Sequence, residues 1–419
     1  MRNIAFVFTI MSIAVASCQQ KSKPAKDVAP DDRQTAREAL TAELDSIQKH
    51  GLINGFAVAM VDKSGVLYTR GFGYSNAETQ EKYTENTLQH IASVSKTLIG
   101  IALMKAKEMG KLNLDDPIEN YLPFKVLNPN FPDELITIRH LATHTSGITD
   151  TEQYDQKAWI LAKGQDLTNV SIDYHFQRLN PAEDDVPMEE YLKGYLEQSG
   201  AFYQEGNYLN FKPGERFEYS NIGATLCALV IEKATGQPFD AFTEEHILNP
   251  LNMSSTAWSL EDVDMTRHSR LYRNDNTLLP FYTAITYPDG MLISSSSDMA
   301  KYLVELIRGY SGEGVLLSKE GYQEFYTEQL EEHHFESRNA EHPYDGDYSP
   351  AIFVGHSALG YIGHSGGDAG VATWMYFDKE KKTGRYIAIN TDMGNDERAR
   401  ELEYYAIWDK MNEYFGKIQ

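Results

Sequence analysis

Ile91-Ala92-Ser93-Val94-Ser95-Lys96-Thr97-Leu98 is the stretch on which the reading of this chain turns. Just after it, Gly100 to Met109 reads as a helix, with Leu98, Ile101, Ala102 and Met104 near the spacings of one buried face. That pattern predicts Ser93 at the helix N-terminus, where free N–H groups and the helix dipole favour negative charge. Lys96 lies three residues on and falls on the same face. A serine that must lose its proton gains from both effects. Taken alone, Ser-x-x-Lys fits an N-capping serine at least as well as a nucleophile, so the decision rests on what else the chain carries.

Two further segments supply it. Tyr219-Ser220-Asn221 follows Pro213-Gly214-Glu215 and precedes an apolar helical run, and His364-Ser365-Gly366-Gly367 lies in a strand-rich region. Ser-x-x-Lys, then Tyr-x-Asn, then a basic residue followed by x-Gly, in that order, resembles the β-lactamase-related serine hydrolases. The likeness is to their class C-like branch of β-lactamases, D-alanyl-D-alanine carboxypeptidases, D-aminopeptidases and esterases, and it spans roughly residues 35 to 415.

The resemblance implies an α+β fold of the β-lactamase/transpeptidase type. An antiparallel sheet built from both chain ends is flanked by terminal helices, with a mostly helical region, about residues 95 to 340, inserted between them. It implies Ser93 as nucleophile, with Lys96 and Tyr219 supplying the base that serine needs. A close ammonium would favour the Tyr219 phenolate; which of the two is the formal base stays open. Asn221 would fix Lys96 and hydrogen-bond the substrate, and His364, Ser365 and Gly366 would contact it. The oxyanion would rest on the backbone N–H groups of Ser93 and Gly367. Many β-lactamases carry lysine where this chain has His364, and there it helps bind a substrate carboxylate. Histidine is largely neutral near pH 7, which weakens, without excluding, efficient β-lactam hydrolysis. The His-x-Gly variant also occurs among the esterases and peptidases of the family.

The leading expectation is a lipid-anchored serine hydrolase that acylates on Ser93 and acts on an ester, an amide or a D-amino-acid-containing peptide. The alternative enzyme is a penicillin-binding carboxypeptidase or a class C-like β-lactamase. The alternative of another class, a cell-surface binding protein that kept the fold and lost the chemistry, is opposed by the intact Ser93, Lys96, Tyr219 and Asn221. Nothing calls for a metal or an organic cofactor. His333 and His334 are adjacent, so they point apart on a helix and lack ligand spacing. His144, in His144-Thr145-Ser146-Gly147, is tempting as a base, but in the resembled family this stretch is structural.

The 419 residues suffice for one large domain or two interlocked ones. With 61 acidic against 38 basic side chains the formal net charge is −23, which argues against nucleic acid and against anionic lipid heads as partners. The expected partner is a small-molecule or peptide acyl substrate; the oligomeric state is left open. Residues 1–18 read as a processing segment: Arg2, an apolar run from Ile4 to Ala16 too short to span a bilayer, then Val15-Ala16-Ser17-Cys18, which resembles a bacterial lipobox. That implies lipidation of Cys18 and a place in the bacterial cell envelope. Residues 19–32 read as a flexible tether and 33–419 as the hydrolase domain. Cys227, in an apolar helical run, reads as a buried thiol.

Helices are predicted over Arg33 to His50, Thr137 to Thr143, Met188 to Gln198, Asn221 to Thr235, Pro238 to Leu248, Ser297 to Arg308, Lys319 to Glu332 and Glu397 to Phe415. Strands are predicted over Phe56 to Val61, Val66 to Tyr74, Tyr361 to Ser365, Val371 to Phe377 and Tyr386 to Asn390. Asp289 to Ser295 resembles a family loop near the pocket. Residues 149–187 form a long acidic and aromatic stretch, with Tyr154, Trp159, Tyr174 and Phe176 among Asp and Glu. It reads either as a lid or wall beside Ser93 or as an excursion packed away from it.

Overall fold

The computed structural model describes residues 30–174, 177–336, 349–357, 359–393 and 398–419. The processing segment, Cys18, most of the tether and Phe176 lie outside the described residues.

Helix α1 (Pro30–His50) starts three residues before its predicted first turn, so the end of the expected tether is helical. Proline is suited to a first helical position, and Asp32 complements the dipole near there. Gly51 follows for reasons of space: a Cβ there would stand 1.9 Å from Glu403 Oε1. The same carboxylate accepts the N–H groups of Leu52 (2.6 Å) and Ile53 (3.3 Å). Strands β1 (Gly55–Asp62) and β2 (Gly65–Asn76) form the expected hairpin. Asp62 Oδ1 closes its turn by accepting Ser64 N–H (2.7 Å) and Gly65 N–H (3.2 Å).

Short strands β3 (Glu81–Lys82) and β4 (Leu88–His90) lead to a 3-10 turn at Ala92–Ser95 and then to α2 (Lys96–Glu108). The middle of the chain carries α3 (Ile138–Ala142), α4 (Glu152–Lys157), β5 (Trp159–Leu161), β6 (Asp173–Tyr174), β7 (Gln177–Arg178), α5 (Met188–Leu196), α6 (Asn221–Thr235) and α7 (Phe239–Thr243). Then come β8 (Tyr282–Ala284), β9 (Ile293–Ser295), α8 (Ser296–Tyr310) and α9 (Lys319–Tyr326). The chain closes with β10 (Ser349–Pro350), β11 (Gly355–His356), β12 (Tyr361–Asp368), β13 (Val371–Asp378), β14 (Thr383–Ile389) and α10 (Arg398–Ile418). The predicted helix at 238–248 divides into α7 and a π turn at Glu244–Leu248, and the one predicted to Glu332 stops at Tyr326.

Eight strands form one antiparallel sheet in the order β10-β11-β12-β13-β14-β1-β2-β3. The two ends of the chain meet where β1 pairs β14, with Phe56 opposite Ile389 and Asp62 opposite Thr383. Side chains alternate between its faces. Phe56, Val58, Met60, Trp374 and Ile387 pack with Leu40 and Leu44 of α1 and Trp408 and Met411 of α10. Ala59, Val61, Met375 and Phe377 face the helical side, with Leu303 and Ile307 of α8 and the apolar residues of α2. Both faces are covered, so β1 is buried along nearly all its length. Each fully buried large apolar side chain contributes on the order of 1.5–3 kcal/mol. Among the described residues no helix is long and apolar enough to cross a membrane.

Both ends of the segment 149–187 enter the core, while described residues between Lys163 and Ile172 are largely exposed. Tyr154, Ala158, Trp159, Ile160 and Leu179 are core residues, and β5 pairs β8 with Trp159 opposite Ala284.

Candidate active site

Ser93 sits on the 3-10 turn ahead of α2, not at the helix N-terminus the sequence predicts, and Lys96 is the first residue of α2. The turn is held from outside. Thr373 Oγ1 of β13 donates to Ile91 C=O (2.7 Å), Ile91 N–H donates to Leu292 C=O (2.9 Å), and Ser95 Oγ accepts Leu292 N–H (3.3 Å). Ala92, directly before the serine, has φ +49°, a left-handed conformation that a non-glycine residue adopts only when its surroundings impose it.

Lys96 Nζ donates to Ser93 Oγ at 3.0 Å and to Asp289 C=O at 2.6 Å. It is completely buried. Burial pushes its pKa below the ordinary lysine value, and the Asp289, Asp368 and Asp150 carboxyls oppose that shift. Its ammonium lies 5.1 Å from the centre of the Tyr219 ring. Tyr219 departs from the sequence expectation. Burial drives its pKa well above the ordinary phenol value, Ser93 pulls it down, and Asp289, Asp150 and Asp368 push it up again. A phenolate is therefore disfavoured: desolvation and three nearby carboxyls act against it. The two hydroxyls are close enough for Ser93 to act on the phenol. No hydrogen bond of good geometry is closed, and the Tyr219 oxygen is buried without a partner among the described residues.

Asn221 also departs from expectation. It does not bond Lys96; its Nδ2 donates to Asp150 Oδ2 at 2.9 Å, on the first turn of α6. His144 is buried and stacks on Tyr219 with ring centres 4.5 Å apart, while its Nδ1 accepts Ser220 N–H (3.2 Å). Burial, with Lys96 and His364 nearby, holds its pKa well below the ordinary imidazole value, so it stands as a neutral brace for the ring.

The third motif runs along β12. A Cβ on Gly366 would lie 2.8 Å from Ser93 N and from Ile91 O, so this strand passes directly against the nucleophile turn. Gly367 is exposed, with nothing within 4 Å of its Cβ position. His364 is buried; desolvation and Lys96 bring its pKa down to about 4, which leaves it uncharged near neutrality. A cavity of about 370 Å³ is lined by Ser93, Phe217, Tyr219, His364, Ser365, Gly366, Gly367 and Tyr376. The structure thus brings all three motifs to one crevice. No described residue of 149–187 lines it; that segment instead backs Lys96, since Tyr154 Oη lies 3.4 Å from Asp289 Oδ2. No group of three or more His, Cys, Asp or Glu side chains that could hold a metal occurs among the described residues.

Sequence reasoning missed Asp150, the Asp289 carbonyl, Phe217 and Tyr376. A backbone carbonyl has no signature in the letters, and a lone Asp three residues after Gly147 looks like any loop acid. The likeness of 289–295 to a pocket loop was the one available pointer to Asp289.

Comparison with known proteins gives the family and the fold. A family model described as Beta-lactamase matches residues 40–407. Protein flp of Staphylococcus aureus (strain MW2) is 30% identical over 221 residues, covering 52% of this chain and 38% of flp. The chain thus spans only about two fifths of the length of that relative. Among solved structures, a beta-lactamase/D-alanine carboxypeptidase from Yersinia pestis complexed with citrate superposes with a TM-score of 0.66 at 17% identity, covering 92% of this chain and 99% of that one. A D-amino acid amidase from Ochrobactrum anthropi SV3 complexed with D-phenylalanine gives 0.65 at 18% identity, covering 91% and 98%. These likenesses show a shared β-lactamase/transpeptidase-like fold. Matched over most of its length, and with three motif segments converging on Ser93, the chain belongs to the beta-lactamase family.

Proposed function

We propose that this protein is a serine hydrolase that forms an acyl-enzyme on Ser93 and hydrolyses an ester, an amide or a D-amino-acid-containing peptide bond. The observation that carries this reading is the 3.0 Å contact from buried Lys96 Nζ to Ser93 Oγ, which lines the same cavity as Tyr219 and Gly367.

Burial moves Lys96 toward giving up its proton more readily than an ordinary lysine, and moves Tyr219 toward keeping its own. On this reading Lys96 is the base. Its amine takes the Ser93 proton as Oγ bonds to the substrate carbonyl carbon. The resulting oxyanion is held by the N–H groups of Ser93 and Gly367, each worth roughly 3 kcal/mol of barrier. Tyr219 gives its proton to the leaving group as the carbonyl–heteroatom bond breaks, and recovers one from Lys96. Water then attacks the ester of Ser93 by the same steps reversed, which frees the acid and restores the hydroxyl. Acid–base help of this kind contributes about 10²–10⁴-fold. The uncharged His364 and the aromatic walls Phe217, Tyr219 and Tyr376 suit an acyl group that carries no carboxylate.

Labelling by a fluorophosphonate probe, together with hydrolysis of 4-nitrophenyl esters and D-aminoacyl amides, tests this. Wild type is expected to label and turn over, and Ser93→Ala to do neither. A wild type that takes no probe and cleaves nothing overturns the reading in favour of a binding protein. On the same reading the protein is held at the bacterial cell envelope by a lipid on Cys18, supported by the lipobox-like Val15-Ala16-Ser17-Cys18. Metabolic labelling with an alkyne fatty acid is expected to mark wild type and spare Cys18→Ser; an unlabelled wild type refutes it.

A further inference from the structure

Tyr219 poses a physical problem. Its phenol must meet Ser93 and Lys96 at a fixed distance, yet its oxygen has no hydrogen-bond partner among the described residues. The Ser93 hydroxyl reaches the tip of the ring without closing a bond of good geometry, so the ring is held chiefly from behind, through its backbone and ring faces.

The backbone just beyond Tyr219 ends on one carboxylate. Asp150 Oδ1 accepts Ser220 Oγ–H (3.1 Å) and Ile222 N–H (3.0 Å), and Oδ2 accepts Asn221 N–H (2.8 Å) and Asn221 Nδ2–H (2.9 Å). Three consecutive residues are tied to two oxygens, at the N-terminus of a 15-residue helix whose dipole favours an anion. Ser220 relays the contact inward by accepting Gly223 N–H at 2.9 Å. Asp150 is braced on both sides: Thr149 C=O accepts Tyr195 Oη–H (3.0 Å), Thr149 N–H donates to Asn207 C=O (3.1 Å), and Thr151 N–H donates to Tyr195 Oη (2.8 Å). From the other side His144 C=O accepts Glu218 N–H (2.8 Å), and the His144 ring stacks on Tyr219.

We infer that Asp150 is a positioning residue for the reaction: its carboxylate clamps the first turn of α6 and, with His144 behind the ring, fixes the Tyr219 phenol against Ser93 and Lys96. This rests on the reading in which Tyr219 and Lys96 serve Ser93. Asp150 also accepts Asn221 Nδ2–H, which ties the nitrogen end of that amide to the clamp. A second consequence follows from charge. The groups facing Lys96 are the carboxyls of Asp289, Asp368 and Asp150, the phenol of Tyr219 and the neutral rings of His144 and His364. Of these carboxyls Asp150 alone belongs to the clamp: its charge raises the Lys96 pKa, after those of Asp289 and Asp368, while burial raises its own pKa and the N–H groups of Ile222 and Asn221 pull it back down.

Asp150→Asn keeps the shape of the side chain and removes its charge and one acceptor. With 4-nitrophenyl acetate, kcat is expected to fall about 100-fold, the scale of a misplacement near 1 Å, while KM changes little. The acidic limb of kcat/KM should move to lower pH, because Lys96 loses a nearby anion and gives up its proton more readily. Asp150→Glu should restore the limb, as the charge returns, and only part of the rate, as the geometry does not. The limb reports the charge of Asp150, whereas a role confined to helix stability would leave kcat and the position of the Tyr219 ring unchanged in a folded variant. Independently of turnover, 3-fluorotyrosine placed at position 219 should show a shifted or broadened ¹⁹F resonance in Asp150→Asn. If that variant fails to fold by circular dichroism, Ser220→Ala removes one of the four donors and should lower kcat in the same direction by less. A folded Asp150→Asn that matches wild type in kcat, in the limb and in the ¹⁹F resonance overturns the clamp and leaves Ser93 chemistry standing, as does an unaltered kcat in Ser220→Ala where that variant is needed. A wild type without turnover or fluorophosphonate labelling fails the underlying reading instead, and the ¹⁹F comparison still decides whether Asp150 holds the ring.

Discussion

At Gly366 a single added methyl group would stand 2.6 Å from Thr373 Oγ1 and 2.8 Å from both Ser93 N and Ile91 O. Two of those neighbours are backbone and cannot turn aside, so Gly366→Ala must push β12 away from the nucleophile turn. The expected result is a folded protein whose kcat/KM on 4-nitrophenyl acetate is lower by about 100-fold, the scale of a misplaced or lost oxyanion donor. At Gly367 the Cβ position is open, and Gly367→Ala should leave the melting temperature unchanged. Equal activities of Gly366→Ala and wild type would show that the strand is not held against Ser93. The letters carried this much at residue scale: Ser93, Lys96, Tyr219, His364 and the paired glycines were named from motif order, and the structure gathers them. What they hid is what depends on neighbours. The φ of +49° at Ala92 is imposed by Thr373, Leu292 and the strand at Gly366. The pKa of Tyr219 is set by burial and by three carboxyls distant in sequence, and that reversed the phenolate expectation.

Between residues and whole molecule, long elements were legible and short ones were not. The hairpin β1–β2, the helices α6 and α8 and the strands β12 to β14 repeat their pattern often enough to be seen. The pair β5·β8 is three residues long on each side, has no periodicity to read, and exists because each strand offers the other its hydrogen bonds. That pair anchors one end of the suspected lid in the core. Trp159 on β5 is 2% exposed and packs edge-on against Tyr282, with ring centres 5.7 Å apart. Trp159→Ala should cost about 3–5 kcal/mol, the usual scale for emptying a large aromatic site, seen as a lower midpoint in urea unfolding. KM for an ester substrate should stay near wild type, because no described residue of the segment lines the cavity. Deleting 152–180 should accordingly yield protein that fails to fold, not protein with altered selectivity. A soluble, folded deletion with new substrate preferences would restore the lid.

At the scale of the whole molecule, the sheet closes the chain on itself through β1·β14, and the packing of the middle of the chain leaves several ionisable groups without water. The hairpin near the start and the strands near the end let this closure be read from sequence; which polar groups the packing would strand could not be read, because burial belongs to the packed object. His90 is the sharpest case. It is 1% exposed, neither ring nitrogen has a hydrogen-bond partner among the described residues, and its ring lies 5.7 Å from His268 and 5.2 Å from Tyr282. Burial, with the His268 ring adding a smaller push, lowers its pKa to about 3, and His268 falls to about 4. Both are depressed below the ordinary value of 6.5, so the unfolded chain takes up protons that the folded one refuses. Their contribution to stability is whole above pH 6.5 and is lost as pH falls toward 4 and 3. Asp289 acts in the opposite sense: burial raises it to about 6, so its contribution is whole below 3.8 and is lost as pH rises through 6. The two effects share the same window, and a substitution separates them. His90→Phe keeps an aromatic ring between His268 and Tyr282, removes an unpartnered N–H and removes the titration. Its melting temperature should drop less than that of wild type between pH 7 and pH 5, by several degrees in a scan at fixed ionic strength. Parallel drops in the two proteins would assign the acid sensitivity of this fold elsewhere, first to His268.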